Sequence, residues 1–311
     1  MKVAQQLAAS IMMVRPAHFG FNPETAENNA FQSNEGDLTL EEISAAAVKE
    51  FDAFVDKLRS YQIHVVVVQD TDTPLKTDAV FPKNWISFHE DGLVITYPMY
   101  SPNRRLERRT DIIETLEEGF EINTWIKLEN HELGGKFLEG TGSMILDRPN
   151  QIAYACRSDR THPLLFADFC ESMNFEPILF TAQDAGGNDI YHTNVMMALG
   201  ETLAIICLES LSNQEERNEV KMRLQESGKE IVDISFDQMN AFAGNMLEVK
   251  NAAGENFLVM SSSAYHSLDM QQTEKILAHT AIIHSPLDHI EKYGGGSARC
   301  MMAEIFLAKK D

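Results

Sequence analysis

One pattern constrains this chain more than any other: the order strand, turn, strand, helix, strand recurs along it. "GSMILDRPNQIAYACRSDRTHPLLFADFCESMNFEPILFT", from Gly142, reads as a strand, a turn at Pro149-Asn150, a second strand, an amphipathic helix and a third strand. "NVMMALGETLAIICLESLSNQEERNEVKMRLQESGKEIVDIS", from Asn194, has the same order, with Gly200 at the turn and Ser212 placed to cap the helix. A third copy begins at Asn245, and a fourth at Asn84 with Asp91-Gly92 as its hairpin turn. The fifth is split. "CMMAEIFL" at the C-terminus supplies its first strand, while "IMMVRPAHFG", a helix over 40–60 and "IHVVVVQD" at the N-terminus supply the rest. The period is roughly 50 to 56 residues, a spacing at which repeated supersecondary units form propellers or arrays. A unit shared between the termini closes a ring. The expectation is therefore one closed α/β domain over 1–311, made of five ββαβ units around an axis, rather than one open sheet with hairpins. The polar stretch 22–37 is long enough to serve as a lid or surface loop.

Charge and cysteine usage narrow the function. With 26 Lys and Arg against 47 Asp and Glu, the net charge is 26 − 47 = −21. That balance opposes nucleic-acid binding, which needs clustered cations to displace counterions, and it repels anionic membranes. No apolar run reaches the ~20 residues of a membrane span. The stretch "MKVAQQLAASIMMVRPAHFG" flows into a core strand and does not read as a signal peptide. The four cysteines, Cys156, Cys170, Cys207 and Cys300, show no paired spacing, so neither disulfides nor a zinc site is expected, and a reducing cytoplasm is the simpler setting.

In a ring of repeats the starts of the inner strands meet near the axis, and the chemically distinctive residues of this chain fall there. They are Asn84 in "FPKNW", Glu139 in "FLEGTGS", His192 and Asn194 in "YHTN", Asn245 in "GNML" and Cys300 in "GGGSARC". Each alone has a plain structural reading: a buried cysteine, a core histidine, a turn, and, for "DRTH", a helix start capped by Thr161. Their arrival at one phase of one repeat is what favours chemistry. Cys, His and Glu together suffice for nucleophilic catalysis: a thiolate attacks, an imidazole moves protons, and a carboxylate fixes the imidazole. The three glycines before Cys300 would let a substrate approach the backbone closely.

"FLEGTGS", "YHTN" and "GGGSARCMM" resemble the guanidino-group-modifying superfamily, which includes arginine deiminases, dimethylarginine hydrolases, agmatine deiminases and amidinotransferases. The resemblance runs from "MMVRPAHFGFNPETAENNAFQ" to Cys300 and is closest to the branch described as citrulline-utilisation hydrolases. It implies the five-bladed α/β propeller, or pentein fold, with no cofactor and no metal. It further implies Cys300 as nucleophile, His192 as general acid and base, Glu139 as the carboxylate that orients it, and Arg160 of "SDRT" as partner of a substrate carboxylate, in the bidentate geometry that suits arginine.

Two departures bear on the substrate. Where deiminases carry His-x-Asp the chain has Asn194, and a second expected aspartate aligns with Asn84. A buried cation without a counter-charge is costly, whereas two amides match a neutral ureido group. If the alignment slips, Asp78 or Asp189 takes that place. The expectation is a cysteine hydrolase of a ureido or guanidino C–N bond in a small amino acid, with citrulline first and ornithine, ammonia and carbon dioxide as the implied products. An arginine-type deiminase or amidinotransferase is the nearer alternative. A non-catalytic propeller of this fold, as in ribosome anti-association factors, is the farther one. The partner expected is a small amino acid, and self-association stays open.

Overall fold

The computed structural model describes residues 4–310. The first three residues of the stretch considered above as a leader, and residue 311 at the end of the expected domain, lie outside the described residues. Five three-stranded sheets share one topology, in which the middle strand runs antiparallel to the first and parallel to the third. Ile86–His89, Leu93–Thr96 and Thr124–Lys127 form one sheet. Met144–Asp147, Ile152–Cys156 and Glu176–Phe180 form the next. Met197–Leu199, Leu203–Ile206 and Glu230–Asp233 follow, then Leu247–Lys250, Asn256–Ser261 and Ala281–Ser285. In the fifth, Ser10–Arg15 pairs in parallel with His64–Gln69 and antiparallel with Ala303–Ile305, with Met12 opposite Ala303. The two ends of the chain thus complete one blade, and the architecture is the five-bladed α/β propeller.

Local sequence accounts for the elements. A two-layer unit needs a helix between its parallel strands, because parallel neighbours cannot be joined by a tight turn. Leu40–Ser60 is that helix in the split blade, started by Thr39, whose hydroxyl accepts from Glu42 N–H while the Glu42 carboxylate accepts from Thr39 N–H. Its buried face, Ile43, Ala47, Phe51, Phe54 and Leu58, recurs at helical spacing and packs on the strands beneath. The first hairpin turns at Glu90–Gly92, where Asp91 and Gly92 take left-handed φ of 62° and 74°. Aspartate tolerates that region and glycine occupies it freely.

Three local expectations need correction. The helix Gln214–Glu226 is capped by Asn213, one residue after Ser212; its side chain accepts from the N–H groups of Glu215 and Glu216. The helix Pro163–Met173 starts from His162 without a side-chain cap, so Thr161 does not cap it; Pro163 supplies the fixed φ of the first position instead. Cys300 does not begin a strand. It lies on a single helical turn, Ala298–Met301, which leads into Ala303–Ile305.

That turn has counterparts. Pro82–Asn84, Gly140–Ser143 and Thr193–Met196 precede inner strands in the same way. They pack in succession, Thr193–Met196 on Gly140–Ser143, that turn on Pro82–Asn84, and that on Ala298–Met301, so four of the five blade starts meet as short turns. Among the described residues no helix is long and apolar enough to cross a membrane.

Candidate functional site

The axial turns bring Asn84, Glu139, His192, Asn194, Asn245 and Cys300 into one buried cluster, each no more than 5% exposed. Glu139 precedes its turn and His192 precedes the next, and His192 Nε2 lies 2.8 Å from Glu139 Oε2. Tyr100 N–H donates to the other Glu139 oxygen at 2.9 Å, and Arg160 Nη1 stands 3.6 Å from Oε2. Burial alone would push the Glu139 carboxyl up. The Arg160 charge and the bond from His192 outweigh it and hold Glu139 well below the usual carboxylate range. Burial lowers His192 to about 3 despite Glu139, so the ring is neutral at physiological pH. A carboxylate only accepts, so the proton sits on Nε2 and leaves Nδ1 as the basic nitrogen.

Gly142 of "LEGTG" is required by close approach. A Cβ there would lie 2.5 Å from Asn84 Oδ1 and 3.0 Å from His192 Nδ1. The glycine lets the histidine and the asparagine share one side of the turn.

The sulfur of Cys300 accepts from two amides, Asn194 Nδ2 and Asn245 Nδ2, both at 3.2 Å. Asn245 Oδ1 in turn accepts from Cys300 N–H at 3.3 Å. Four buried thiols can thus be compared. Burial pushes Cys156, Cys170 and Cys207 up to about 12. Burial acts on Cys300 too, but the charge of Lys83, a backbone hydrogen bond at Ser297 and the two amides reverse it, and this thiol is lowered. A lowered thiol is the reactive kind. The oxygens Asn84 Oδ1 and Asn194 Oδ1 are buried and accept no hydrogen bond within the protein. Buried amide oxygens are ordinarily satisfied, so these two orphans, one on the amide bound to the sulfur and one on the wall of the adjoining cavity, call for donors from a ligand.

A small cavity lies against this cluster, lined by Asn84, His192, Cys300, Asp78, Arg104 and Arg160 together with the three glycines 294–296. It measures about 20 Å³, room for roughly one water molecule. The segment 22–37 covers it. Asn22 Nδ2 donates to Asp78 Oδ2 at 2.7 Å, Arg160 Nη2 donates to Thr25 O at 3.0 Å, and Arg160 Nε donates to Asn28 Oδ1 at 3.0 Å. Gln32 Nε2 donates to Gly294 O at 2.9 Å. The glycine run is therefore met by the covering segment and by Tyr191, whose hydroxyl donates to Gly295 O.

Of the six expected site residues, Cys300, His192, Asn84 and Arg160 line this cavity, while Glu139 and Asn194 lie outside its lining, bonded to His192 and to the Cys300 sulfur. Arg160 lines it with its guanidinium already engaged by the covering segment. Asp189 is exposed and bonded to Gln183, outside the cavity. Asp78 lines it, with Oδ1 unpartnered. Sequence reasoning did not assign Arg104, which forms two 2.8 Å hydrogen bonds to Glu107 and lies 3.7 Å from Asp78. It also left Asn245 without a role and did not single out Lys83. Among the described residues no group of three or more His, Cys, Asp or Glu is arranged to hold a metal ion.

Neutral buried histidines make the fold acid-sensitive. His192 and His89, which accepts from Arg148 and bonds Ser87, are both held by burial below an ordinary histidine. Between their folded values and the unfolded value near 6.5, the unfolded chain binds more protons. Stability is therefore complete above about pH 6.5 and lost as pH falls below it, with each histidine contributing a slope of about 1.4 kcal/mol per pH unit. Urea midpoints at pH 7 and pH 5 should show the loss, and His89→Gln should reduce it by about half.

Comparison with known proteins places this geometry. The family described as "N,N dimethylarginine dimethylhydrolase, eukaryotic" matches residues 15–307. No curated protein sequence matches the chain. Among solved structures, the N-terminal domain of ArgZ, an arginine dihydrolase from the ornithine–ammonia cycle in cyanobacteria, superposes with a TM-score of 0.71 at 18% identity, over 95% of this chain and 97% of that one. Unliganded AgrE gives 0.71 at 17% identity, over 97% of this chain and 40% of its own. A dimethylarginine dimethylaminohydrolase adduct with S-methyl-L-thiocitrulline gives 0.65 at 15% identity, over 96% of this chain and 100% of its own. The chain spans only 39% of the ArgZ chain in the apo structure. At these identities the structural likeness speaks to the fold, and the family match covers nearly the whole chain. The chain therefore belongs to the N,N-dimethylarginine dimethylhydrolase family, within the guanidino-group-modifying superfamily.

Proposed function

We propose that the protein is a metal-free cysteine hydrolase that cleaves a ureido C–N bond in a small amino acid, with citrulline as first substrate. The observation that carries this reading is the pair of orphaned amide oxygens, Asn84 Oδ1 on the cavity wall and Asn194 Oδ1 on the amide that donates to the Cys300 sulfur. Around the sulfur the nearest polar partners are amides, which suit a neutral group with N–H donors and one carbonyl. The charged lining sits on the side of the covering segment: Asp78 with a free oxygen, Arg104 and Arg160. Those charges suit the ammonium and carboxylate of an amino acid.

In this mechanism Cys300 Sγ attacks the ureido carbon and the carbonyl oxygen takes up the electron pair. His192 delivers a proton from Nδ1 to the leaving nitrogen. Because the ring is neutral in the free site, it must first take that proton up, from the thiol or from solvent. A thiocarbamate remains on Cys300. Water then attacks, giving its proton to His192, and the sulfur departs. Glu139 holds the ring throughout and stabilises it when charged. The carbamate released loses carbon dioxide, leaving ornithine and ammonia. A non-catalytic binding role leaves the selectively lowered Cys300 without purpose.

The second reading, an arginine-type substrate, is favoured by Asp78 and by relatives described as an arginine dihydrolase and as AgrE bound to L-arginine. A panel of citrulline, arginine, agmatine and methylated arginines, scored for ammonia and ornithine, separates the two. Ammonia from arginine and none from citrulline would overturn the ureido reading. Asn84→Asp is the sharper probe, because Asn194 is tied to the sulfur and its replacement would disturb the nucleophile as well. A carboxylate at position 84 repels a urea oxygen and attracts a guanidinium, so the kcat/KM ratio of citrulline to arginine should fall by about 2 kcal/mol, roughly 30-fold. We place the protein in the cytoplasm on the basis of its four unpaired cysteines.

A further inference from the structure

Among the described residues, three lysines are buried to 5% exposure or less: Lys76, Lys83 and Lys229. Two have carboxylate partners, Asp70 at 3.2 Å from Lys76 and Asp147 at 3.6 Å from Lys229. Lys83 is the most buried, at 0%, and among the described residues no carboxylate oxygen lies within 4.0 Å of its Nζ. Its hydrogen bonding reduces to one long contact, 3.5 Å to Thr141 O. An ammonium in that position is costly unless a negative charge lies nearby.

The fold supplies a candidate for that charge. Lys83 shares the turn Pro82–Asn84 with Asn84, and this turn packs on Ala298–Met301, which carries Cys300. Thr141, its single partner, belongs to the neighbouring axial turn, away from the cavity that holds Asn84, His192 and Cys300. Lys83 does not line that cavity, so its ammonium lies outside the space a substrate would occupy. We propose that Lys83 is the counter-charge of a Cys300 thiolate, a positioning residue that keeps the nucleophile ionised in the free protein.

The chemistry gives such a residue a purpose. A guanidinium brings its own positive charge to a thiol and can ionise it on arrival, whereas a ureido group brings none. A site built for a neutral substrate must supply the cation itself. This purpose rests on the ureido reading above, although the Lys83–Cys300 relation can be measured without any substrate. Burial pulls Lys83 down to about 7, and Cys300 is the strongest influence raising it. Lys83 is in turn the strongest charge favouring the thiolate. The other charged or titratable groups facing the pair are Arg299 and Arg104, which oppose a charged lysine, Glu139, which favours it, and Tyr191 and His192 beside the sulfur. With the thiolate preformed, the proton that His192 later delivers comes from solvent.

The test is the pH dependence of Cys300 alkylation by iodoacetamide in the free, full-length protein, with labelled peptides assigned by mass spectrometry. Wild type should show a midpoint below that of a free thiol, near 8.5. Lys83→Met, which keeps the stem and removes the charge, should raise the midpoint by at least one unit and slow labelling at pH 7 about tenfold. Lys83→Arg should restore most of the difference. Equal midpoints in wild type and a folded Lys83→Met variant would overturn the proposal. Should Lys83→Met not fold, the thiolate absorbance of wild type minus Cys300→Ser gives the midpoint directly. A value at or above 8.5 overturns the proposal, and a lower one supports it. Failure of the ureido reading would show in the substrate panel and leave these midpoints untouched.

Discussion

Cys300→Ala should abolish ammonia release from every substrate in the panel, by roughly 10⁴-fold or more, since removal of a nucleophile leaves only binding and polarisation. The fold should survive. The side chain lost is small, with a cavity cost on the order of 1 kcal/mol. Asn194 and Asn245 each lose a sulfur acceptor, about another 1 kcal/mol in total. Together these should lower Tm by a few degrees, measurable by calorimetry alongside the activity assay. The variant should still bind substrate, which makes it suitable for trapping a complex. Near-wild-type turnover in Cys300→Ala would remove the sulfur from the mechanism, and the remaining three thiols, raised by burial to about 12, offer no substitute.

Glu139→Gln should have the second largest effect, a fall in kcat on the order of 10³ with KM changed by less than about threefold. The carboxylate accepts from His192 Nε2 at 2.8 Å and so fixes which ring nitrogen is free. A glutamine can turn its NH₂ toward the ring, which forces the proton onto Nδ1 and removes the base. It also gives no charge to stabilise an imidazolium, and it leaves Arg160 without the carboxylate 3.6 Å away. Steady-state kinetics separate these roles: a large rise in KM at unchanged kcat would make Glu139 part of substrate binding instead.

Much of the fold was legible because each blade repeats a pattern whose periods differ sharply, two along a strand and 3.6 along a helix. The split blade could be recognised because "CMMAEIFL" matches the first strand of the repeat, and "IMMVRPAHFG", the helix over 40–60 and "IHVVVVQD" match the rest of it. The short turns before the inner strands were not legible. Four residues, as in Ala298–Met301, are too few to show a helical period, so Cys300 read as the start of the strand. Asn213 took the cap expected at Ser212 because both types cap well and one residue separates them. The cluster of Cys300, His192, Glu139, Asn84 and Asn194 was legible as a phase of the repeat. Lys83 was not, because a lysine before an asparagine reads as a surface charge, and only the packing of Pro82–Asn84 turns it inward. Arg104 lies outside the repeat phase, in a connecting segment, where sequence period carries no information, and Asp78, named only as the alternative to the amides, does line the cavity.

The hold of Asn28 and Thr25 on Arg160 means that the closed protein is its own competitor. Asn28 Oδ1 presents to that guanidinium the kind of oxygen a substrate carboxylate would present. For any amino acid held by Arg160, association is an exchange of one oxygen ligand for another, and its apparent affinity is the intrinsic affinity multiplied by the fraction of molecules in which 22–37 has let go. With the binding roles proposed above, selectivity acquires a length requirement at both ends: a molecule must replace Asn28 at the arginine and still reach the unpartnered oxygens of Asn84 and Asn194, so a fragment able to do only one of these leaves the internal ligand in place.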